Sequence, residues 1–392
     1  MNIVPKYNIL ILSAWYPTDK NPFLGIFVRR HAEAIALKHN VYVLHVTVDE
    51  ELKEKEFRIQ KKQIGQLNEI IIYYGKSKRK TNLYNQFKNY NILNKHYSFG
   101  LNKYLESDIK FDLIHLNIAW PLGLIAKSIS DQLKIPAVLS EHWTGYLPAD
   151  GRYKGTFLKY VTKKIVKKAK AITTVSENLA NQMASLDLKG NYSIISNVVD
   201  TSLFQFLKKE SDKVTIIHVS SLDDAQKNVT GLLHAFQKVK KKHPEIELII
   251  VGSGADEQTV KRLSNELGLT TRGVIFVGHK TEVELVAYLQ KSDALILNSN
   301  YENQPVVILE ALCCGIPVIS TDVGGISENV NNENGILFIP NNENELITAI
   351  ESFLTKKDNF NQKAIQKAAI ARYCKEKIAA DFDILFQSVV KK

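Results

Sequence analysis

The sequence has few of the features that mark a disulfide-rich, membrane-spanning or metal-clustered protein. It has three cysteines in 392 residues, so neither a disulfide framework nor a cysteine metal cluster is expected, and a reducing compartment fits. The apolar run Tyr7–Ala14 is too short to span a bilayer and lacks the layout of a signal peptide. We therefore expect a cytoplasmic protein, or one that is peripheral at the inner face of the cell membrane.

The glycine fingerprint of dinucleotide-binding folds is also missing after the first predicted strand. The nearest pattern is Gly252-Ser253-Gly254, in which Glu257 stands where a third glycine is required. A lone G-x-G of this kind is more often a tight turn between a strand and a helix.

The sequence does contain a regular alternation of short apolar strands and helical segments. It is 45% hydrophobic and 23% charged, which suits a soluble α/β protein with parallel sheets. The length suggests two domains, 1–198 and 199–374, that meet at a hinge around Asn197–Thr201, followed by a helical segment, 375–392. Predicted strands are Tyr7–Ser13, Val41–Val46, Leu113–Leu116, Ala137–Ser140, Ala171–Val175, Tyr192–Ile195, Val214–Val219, Glu247–Val251, Val274–Val277, Ala294–Asn298 and Pro317–Ser320.

Positive charge is concentrated in the first half of the chain. Residues 1–200 carry 29 Lys and Arg against 17 Asp and Glu, whereas the remainder carries 22 against 24. The basic residues cluster in Lys76–Lys80 and in the helical-looking segment Lys159–Lys170. The second cluster either lies on an anionic membrane surface or forms a core-packed helix with a solvated lysine face. Nucleic acid is not expected as a partner, because few aromatic residues are interleaved and no binding motif is present.

Glu302 and Glu310 are the most informative residues of the chain. Pro305, between them, is favoured in the first turn of a helix and predicts that a helix starts there. Glu302 then lies in the preceding loop and Glu310 on the second helical turn, with free N–H groups and the positive end of the helix dipole between them. Two solvated surface glutamates are the alternative, but the buried strand Asp293–Ser299 places this loop where open α/β sheets bind ligands. A ligand with a central diphosphate and hydroxyl-rich ends, such as a nucleotide sugar, would fit.

The motifs in this order resemble those of the family 4 glycosyltransferases, retaining enzymes of the GT-B fold. The matching pieces of the second domain are Glu302 to Glu310 (E-x7-E), Gly315 to Val318, Asp322 to Glu328, Asn334-Gly335, Val251 to Gly254 and Val277 to His279. Those of the first domain are Gly25 to Glu33, Asp112 to His115, Glu141-His142, Val175 to Glu177 and Ile195 to Asp200. The resemblance covers nearly the whole chain. It implies two doubly wound Rossmann-like domains facing each other across a cleft, with the last helix crossing back onto the first domain.

The resemblance also implies how the second domain would hold a nucleotide-sugar donor. Glu310 would accept hydrogen bonds from the ribose hydroxyls, and Glu302 would contact a sugar hydroxyl. The backbone near His279 would meet the base, with Gly252 beside the donor. The N–H groups that would hold the phosphate or sugar belong to Asn303, Gln304 and Val306. No metal or other cofactor is expected, since the protein's own cations and a helix N-terminus would stabilise the leaving diphosphate.

Lys227 is the cation expected at the phosphate. It lies between a predicted strand and the predicted helix Thr230–Lys240. Many members of the family carry an arginine six residues before this lysine, but this chain has Ser221. Either Lys227 acts alone with backbone dipoles, or another residue such as His279 compensates.

On the first domain, the resemblance places Gly25 against the diphosphate and points His142 at the donor sugar. Glycine allows a close backbone approach, and His142 follows a strand end, which favours a ligand contact over a satisfied buried histidine. Arg29 either faces the cleft or makes a surface salt bridge. Trp143 and Tyr146 either form an acceptor platform or only pack.

The sequence thus predicts a retaining glycosyltransferase with Glu302, Lys227 and His142 as catalytic residues. The expected acceptor is a glycan or a lipid-linked precursor in cell-surface polysaccharide, lipopolysaccharide or related synthesis. Two alternatives stay open at this point. One is a nucleotide-sugar epimerase on the same fold, and the other is a catalytically weak binding protein, which the loss of arginine at Ser221 favours.

Overall fold

The computed structural model describes residues 6–75 and 83–390, and the basic run Lys76–Lys80 lies outside them. The strands are β1 (Asn8–Ser13), β2 (Asn40–Val48), β3 (Phe57–Ile64), β4 (Leu67–Tyr74), β5 (Leu113–Asn117), β6 (Ala137–Glu141), β7 (Ala171–Thr174), β8 (Tyr192–Ile194), β9 (Thr215–Val219), β10 (Glu247–Val251), β11 (Val274–Gly278), β12 (Ala294–Leu297), β13 (Val318–Thr321) and β14 (Gly335–Phe338). The helices are α1 (Ile26–Ile35), α2 (Leu83–Leu105), α3 (Gly123–Leu133), α4 (Thr156–Lys168), α5 (Glu177–Ser185), α6 (Asp224–Lys227), α7 (Val229–Lys242), α8 (Glu257–Glu266), α9 (Glu282–Gln290), α10 (Val306–Cys313), α11 (Glu343–Lys356), α12 (Gln362–Tyr373) and α13 (Lys375–Val390), with short 3₁₀ turns at Thr144–Tyr146 and Lys357–Asn359.

The strands form two separate sheets. The first has the order β3-β4-β2-β1-β5-β6-β7-β8 and the second β11-β10-β9-β12-β13-β14. Every pairing is parallel except that of β3 with β4. In each sheet the strand order reverses direction at one point, beside β1 in the first and beside β9 in the second, which is where such sheets bind ligands. The predicted pair of doubly wound Rossmann-like domains is confirmed.

Both faces of each sheet are buried, as parallel sheets require. In the first sheet Leu10 and Leu12 belong to one hydrophobic core, and Ile9 and Ile11 belong to the other. Successive side chains of a strand point to opposite faces, so the same strand contributes apolar residues to both cores. Near-continuous apolar runs in the sequence therefore predicted the central strands.

All eleven predicted strands are present, and three strands were missed. The hairpin of β3 and β4 extends one edge of the first sheet, and β14 closes one edge of the second. β3 is largely exposed and polar, as suits an edge strand, and β14 is four residues long. Neither β3 nor β14 has the long apolar run on which the other predictions rested, whereas β4 contains such a run, Ile70 to Tyr74, and was missed nonetheless.

The chain crosses between the two domains twice, at the predicted hinge and after α12. The two crossings are joined, because Val199 N–H donates to the carbonyl of Tyr373 at 2.9 Å. Lys375 adds an ion pair to Asp200 at 3.0 Å. α13 then packs against α1, and Phe382 and Phe386 complete one core of the first domain.

Polar contacts hold the domains together across the cleft. The Gln304 side-chain oxygen accepts from Ser196 Oγ at 2.9 Å and from Asn197 N–H at 2.8 Å. The carboxylate of Glu328 accepts from two N–H groups at the start of α5, both at 2.8 Å. An anion at a helix N-terminus is favourable, so this contact stabilises the observed arrangement of the domains.

In the described ranges, no helix combines the length and the apolarity that a bilayer crossing requires.

Candidate active site

The loop between β12 and α10 forms one wall of the cleft and is buried along most of its length. Glu302, Asn303 and Gln304 are all buried. Pro305 is the N-cap of α10, so the helix begins one residue later than predicted. Glu310 lies on its second turn, as predicted.

Gly324 explains why the backbone of this loop can lie so close to the following segment. Its φ is +58°, and a Cβ atom there would lie 1.6 Å from the carbonyl oxygen of Glu302. No side chain fits at that separation, so the glycine fixes the path of the loop. The backbone carbonyl of Asn303 accepts from the N–H of Gly325 at 3.0 Å, so this second contact also holds the loop against the Gly324–Gly325 segment.

Three backbone N–H groups at the start of α10 are available to a ligand. Those of Asn303, Gln304 and Val306 have no acceptor among residues 6–75 and 83–390. Their number and their place at a helix N-terminus suit an anion. The side chains are engaged elsewhere, since Asn303 Nδ2 donates to the carbonyl of His142 at 2.8 Å and Gln304 joins the hinge. The backbone is therefore the part of these residues that remains for a ligand.

Lys227 and Glu302 meet at the point where the strand order of the second sheet reverses. Lys227 ends α6, which follows β9, and its ammonium hydrogen-bonds the Oε1 atom of Glu302. Ser299 Oγ donates to the same oxygen at 2.9 Å. Among the described residues the Lys227 ammonium makes no other hydrogen bond, so two of its N–H bonds point to no protein acceptor. The pair combines a cation for phosphate with a carboxylate for a hydroxyl.

Glu310 is buried and paired with a residue that the sequence reasoning did not single out. Arg30 Nη2 on α1 donates to Glu310 Oε1 at 2.7 Å and to Glu282 Oε1 at 2.7 Å. Burial raises the pKa of Glu310, while the guanidinium lowers it and Glu282 raises it. The neighbouring Arg29 lies 3.4 Å from Glu33 and 3.6 Å from Glu69, so the salt-bridge alternative holds for Arg29.

His142 follows β6, and its carbonyl accepts from Asn303 of the second domain at 2.8 Å, so its backbone borders the cleft. It is buried, and neither ring nitrogen has a hydrogen-bond partner in the described structure. Its ring packs 4.7 Å from that of Phe27 and 5.5 Å from that of His31, centroid to centroid. Burial, with smaller contributions from His31 and His115, lowers the pKa of His142 well below its usual value. It is therefore a neutral imidazole with free donor and acceptor capacity.

The other first-domain candidates are Gly25, Tyr146 and Trp143. Gly25 allows a close approach of two backbone segments, whereas the other two are aromatic side chains that pack. Gly25 is the N-cap of α1 at φ +72°, and a Cβ atom there would lie 2.4 Å from the Trp15 carbonyl carbon. Tyr146 is buried and donates to Glu141 Oε1 at 3.0 Å, so it packs and is not an acceptor platform. Trp143 stays partly exposed and carries the guanidinium of Arg152 5.9 Å from its ring centre.

The predicted nucleoside end of the cleft lies beside β10 and β11. Gly252 N–H donates to the carbonyl of Gly278 at 2.9 Å, which joins the two strand ends. His279 is exposed and its ring centre lies 3.8 Å from that of Phe23, in the loop before α1. Ser221 is exposed and carries no charge, so the position of the usual arginine stays neutral.

Two family models match consecutive parts of this cleft. Glycosyltransferase Family 4 matches residues 24–203, and Glycosyl transferases group 1 matches residues 199–371. The chain belongs to the family 4 glycosyltransferases.

Curated relatives of this family 4 glycosyltransferase are distant in sequence. The glycogen synthase of Mycobacterium tuberculosis is 25% identical over 280 residues, covering 69% of this chain and 65% of that protein. The match thus spans just under two thirds of that relative's length. The alpha-monoglucosyldiacylglycerol synthase of Streptococcus pneumoniae is 24% identical over 242 residues, covering 56% of this chain and 54% of that protein.

Solved structures show the same fold. Sucrose-phosphate synthase from Thermosynechococcus elongatus has a TM-score of 0.80 at 20% identity, covering 98% of this chain and 100% of that one. Anabaena HepE in complex with UDP has a TM-score of 0.70 at 18% identity, covering 97% and 100%. This family 4 glycosyltransferase therefore has the expected GT-B fold.

Arg152 is a second cation near the cleft that the sequence reasoning missed. It is anchored by Asp150, and its Nη2 donates to Thr144 Oγ1 at 3.0 Å. Burial and Asp150 raise the pKa of Tyr301, in the loop that carries Glu302, and Arg152 lowers it. No local pattern around Arg152 distinguishes it from other exposed arginines.

Proposed function

We propose that this chain transfers a sugar from a nucleotide-sugar donor to an acceptor hydroxyl, with retention of configuration at the anomeric carbon. The observation that carries the proposal is the pairing of Lys227 with Glu302 next to free N–H groups at the start of α10. Along this cleft, Lys227 would bind a phosphate, Glu302 would accept from a sugar hydroxyl, and Glu310 would accept from the ribose of a nucleoside. HepE, which has the same fold, was solved in complex with UDP, and this supports a nucleotide ligand for the fold.

The donor would lie along the cleft with its diphosphate beside Lys227. Glu310 accepts from the ribose hydroxyls, and the base lies toward His279 and Gly252. Glu302 accepts from a sugar hydroxyl, and His142 hydrogen-bonds the sugar from the opposite wall. The N–H groups at the start of α10 and the loop at Gly25 enclose the diphosphate, where oriented dipoles stabilise negative charge.

The proposed reaction is a front-face displacement. The bond between the anomeric carbon and the phosphate oxygen breaks, and the acceptor oxygen attacks from the same face. The departing phosphate oxygen takes the acceptor proton, so that a nucleoside diphosphate leaves as the glycosidic bond forms. Glu302 is bonded to Lys227 and Ser299 and is not arranged with a second carboxylate across the bond, as hydrolases require. Lys227 and the α10 N–H groups hold the developing charge, so the proposal needs no metal.

A thermal-shift screen with UDP-, GDP- and ADP-sugars tests donor binding. We expect one nucleotide class to raise the melting temperature, because a ligand at 100 times its Kd stabilises the folded state by about 2.7 kcal/mol. The sugar that stabilises most then enters a transfer assay with EDTA present, and NMR of the anomeric proton gives the configuration of the product. A matched control uses the Glu310→Gln variant, which should lose most of the shift.

The outcomes of this screen separate the alternatives. No response to any nucleotide sugar contradicts the proposal and favours a binding protein without activity. Release of an isomerised sugar nucleotide in the absence of an acceptor identifies an epimerase. Transfer that stops with EDTA contradicts metal independence.

We further propose that the acceptor is a glycan or lipid-linked glycan precursor at an anionic membrane surface, reached through α4. Phe157 and Tyr160 on this helix are 64% and 57% exposed. Lys159, Lys163 and Lys164 extend beside them, and Lys164 lies 4.4 Å from the Tyr160 ring centre. Exposed aromatic residues among lysines suit the boundary between headgroups and acyl chains. The S. pneumoniae relative, named for a lipid product, supports a lipid acceptor.

Vesicle binding tests this surface. We expect co-sedimentation with vesicles that contain anionic lipid, weakening as salt rises, because each lysine near the surface contributes about 1 kcal/mol. A Phe157→Ser/Lys163→Glu variant should bind much less. A matched control, Lys238→Glu, changes a lysine of the second domain and should bind like the wild type. Binding that is absent, or that is equal in both variants, contradicts a role for α4.

A further inference from the structure

Arg30 is a buried charge that joins three parts of the chain. Its side chain is 5% exposed, on the first helix of the first domain. It donates to Glu310 and Glu282 of the second domain and, through Nη1, to the carbonyl of Val198 at 3.3 Å. The guanidinium carbon also lies 5.7 Å from the Phe204 ring centre. Burying a charge is unfavourable unless it is paired, so these contacts define where Arg30 must lie.

The pairing leaves one oxygen of Glu310 available. Arg30 Nη2 bonds Oε1, and Oε2 has no partner among the described residues. Oε2 is also not among the fully enclosed polar atoms of the described chain, so it reaches open space. A carboxylate held by one oxygen presents the other in a fixed direction.

Several titratable groups face Glu310. Arg30 comes from α1, Glu282 from the start of α9, Cys313 from the end of α10 and Cys314 from its C-cap. Burial raises the pKa of Cys314 to about 12 and also raises that of Cys313, so both thiols stay neutral near pH 7. The only positive charge in this set is Arg30. Without it, burial and Glu282 would both favour the neutral acid form of Glu310.

We propose that Arg30 is a positioning residue that holds Glu310 as an oriented carboxylate for the ribose, so that the ribose site is complete only when the two domains are closed. This inference rests on the proposed function of Glu310. Arg30 of the first domain would then determine whether Glu310 of the second domain can bind the ribose of the donor. The bond from Arg30 to Val198, at the crossing between the domains, ties this recognition to the hinge.

The test compares Arg30→Met with Arg29→Met in the full-length chain. Arg29 is the adjacent residue on α1 and makes salt bridges away from Glu310, so it is a matched control. The probes are UDP, GDP and ADP between pH 7 and 8.5, measured by calorimetry, with kcat and KM for the donor. We expect Arg30→Met to weaken nucleotide binding about 10- to 100-fold at pH 7, since a charge-assisted hydrogen bond is lost.

The pH profile distinguishes positioning from general damage. In Arg30→Met, binding should improve as pH rises, because Glu310 regains its charge only at higher pH, whereas the wild type and Arg29→Met should stay flat. Donor KM should change more than kcat. Arg30→Lys should partly restore affinity, and Arg30→Met/Glu310→Gln should bind no more weakly than Glu310→Gln alone. Unchanged affinity in folded Arg30→Met overturns the proposal.

A measurement without donor keeps this inference separate from the proposed function. Carbon-13 NMR of the glutamate side chains, with Glu310→Gln for assignment, reports the charge on Glu310 directly. We expect Glu310 to be ionised at pH 7 in the wild type and in Arg30→Lys, and protonated in Arg30→Met. If no nucleotide binds the wild type, the proposed function fails, and this NMR result alone decides whether Arg30 controls Glu310. An ionised Glu310 in Arg30→Met overturns the inference.

Discussion

Replacing Lys227 with alanine is expected to lower the rate of sugar transfer by about 10²- to 10³-fold, the usual effect of removing one group that stabilises developing negative charge. Lys227 is the charged group that the structure places beside Glu302 at the switch point of the second sheet. Ser221 leaves the position of the family's usual second cation uncharged, so Lys227 is expected to carry more of the phosphate charge. The measurement is the initial rate of nucleoside diphosphate release with a saturating acceptor.

A matched control for Lys227 is Lys238→Ala. Lys238 lies on α7 and pairs with the surface residue Glu343 at 3.1 Å, so its loss should leave the rate unchanged. Lys227→Ala also leaves the buried Glu302 without its cation, and an unpaired buried charge costs at least about 1–3 kcal/mol. Thermal unfolding of the variant must therefore be followed beside its activity. Near-wild-type turnover by a folded Lys227→Ala protein contradicts the assignment.

Replacing His142 with phenylalanine is expected to lower transfer about 100-fold with the fold intact. Both ring nitrogens of His142 lack protein partners, so the substitution removes no internal hydrogen bond of the side chain. An aromatic ring of similar shape keeps the contact with Phe27. The lost activity would then report the hydrogen bond from the imidazole to the donor sugar.

The control for His142 is His96→Phe. His96 stacks on Tyr74 with ring centres 5.0 Å apart, at the β3–β4 edge of the first sheet, and should tolerate the change. Because the pKa of His142 lies well below its usual value, the wild-type rate should show no inflection from this group between about pH 6 and 8. Equal rates for His142→Phe and wild type rule out a sugar contact at this residue.

The family resemblance named Lys227 and Glu302 as candidate site residues, and the structure brings these two together because each follows the end of a strand. Lys227 comes after β9 and Glu302 after β12, and the two strands are neighbours in the sheet. Neighbouring strands of a parallel sheet have their carboxyl ends at the same edge of the sheet. Residues that follow these two strands therefore lie close together, regardless of the sequence between them. The same reasoning placed His142 after β6.

Arg30 could not be predicted in this way. Arg29 and Arg30 are adjacent on α1, and periodicity does not indicate which of them is buried, because α1 packs on the sheet, on α13 and on the second domain. Its partner Glu310 is 280 positions away. Contacts between domains depend on how they are oriented, and no local pattern encodes that orientation. The one available signal was an arginine inside a helix that buries most of its surface.

The position of α13 has a consequence for synthesis of the chain. Phe382 and Phe386 cover part of a face of the first sheet whose residues Ile9, Ile11 and Val43 are translated before the second domain. α1 covers part of that face early, but the part under α13 stays uncovered until residues 375–390 have left the ribosome, after the second domain has emerged. The first domain to be synthesised is therefore the last to finish folding, and in the interval its apolar surface is open to chaperones or to aggregation.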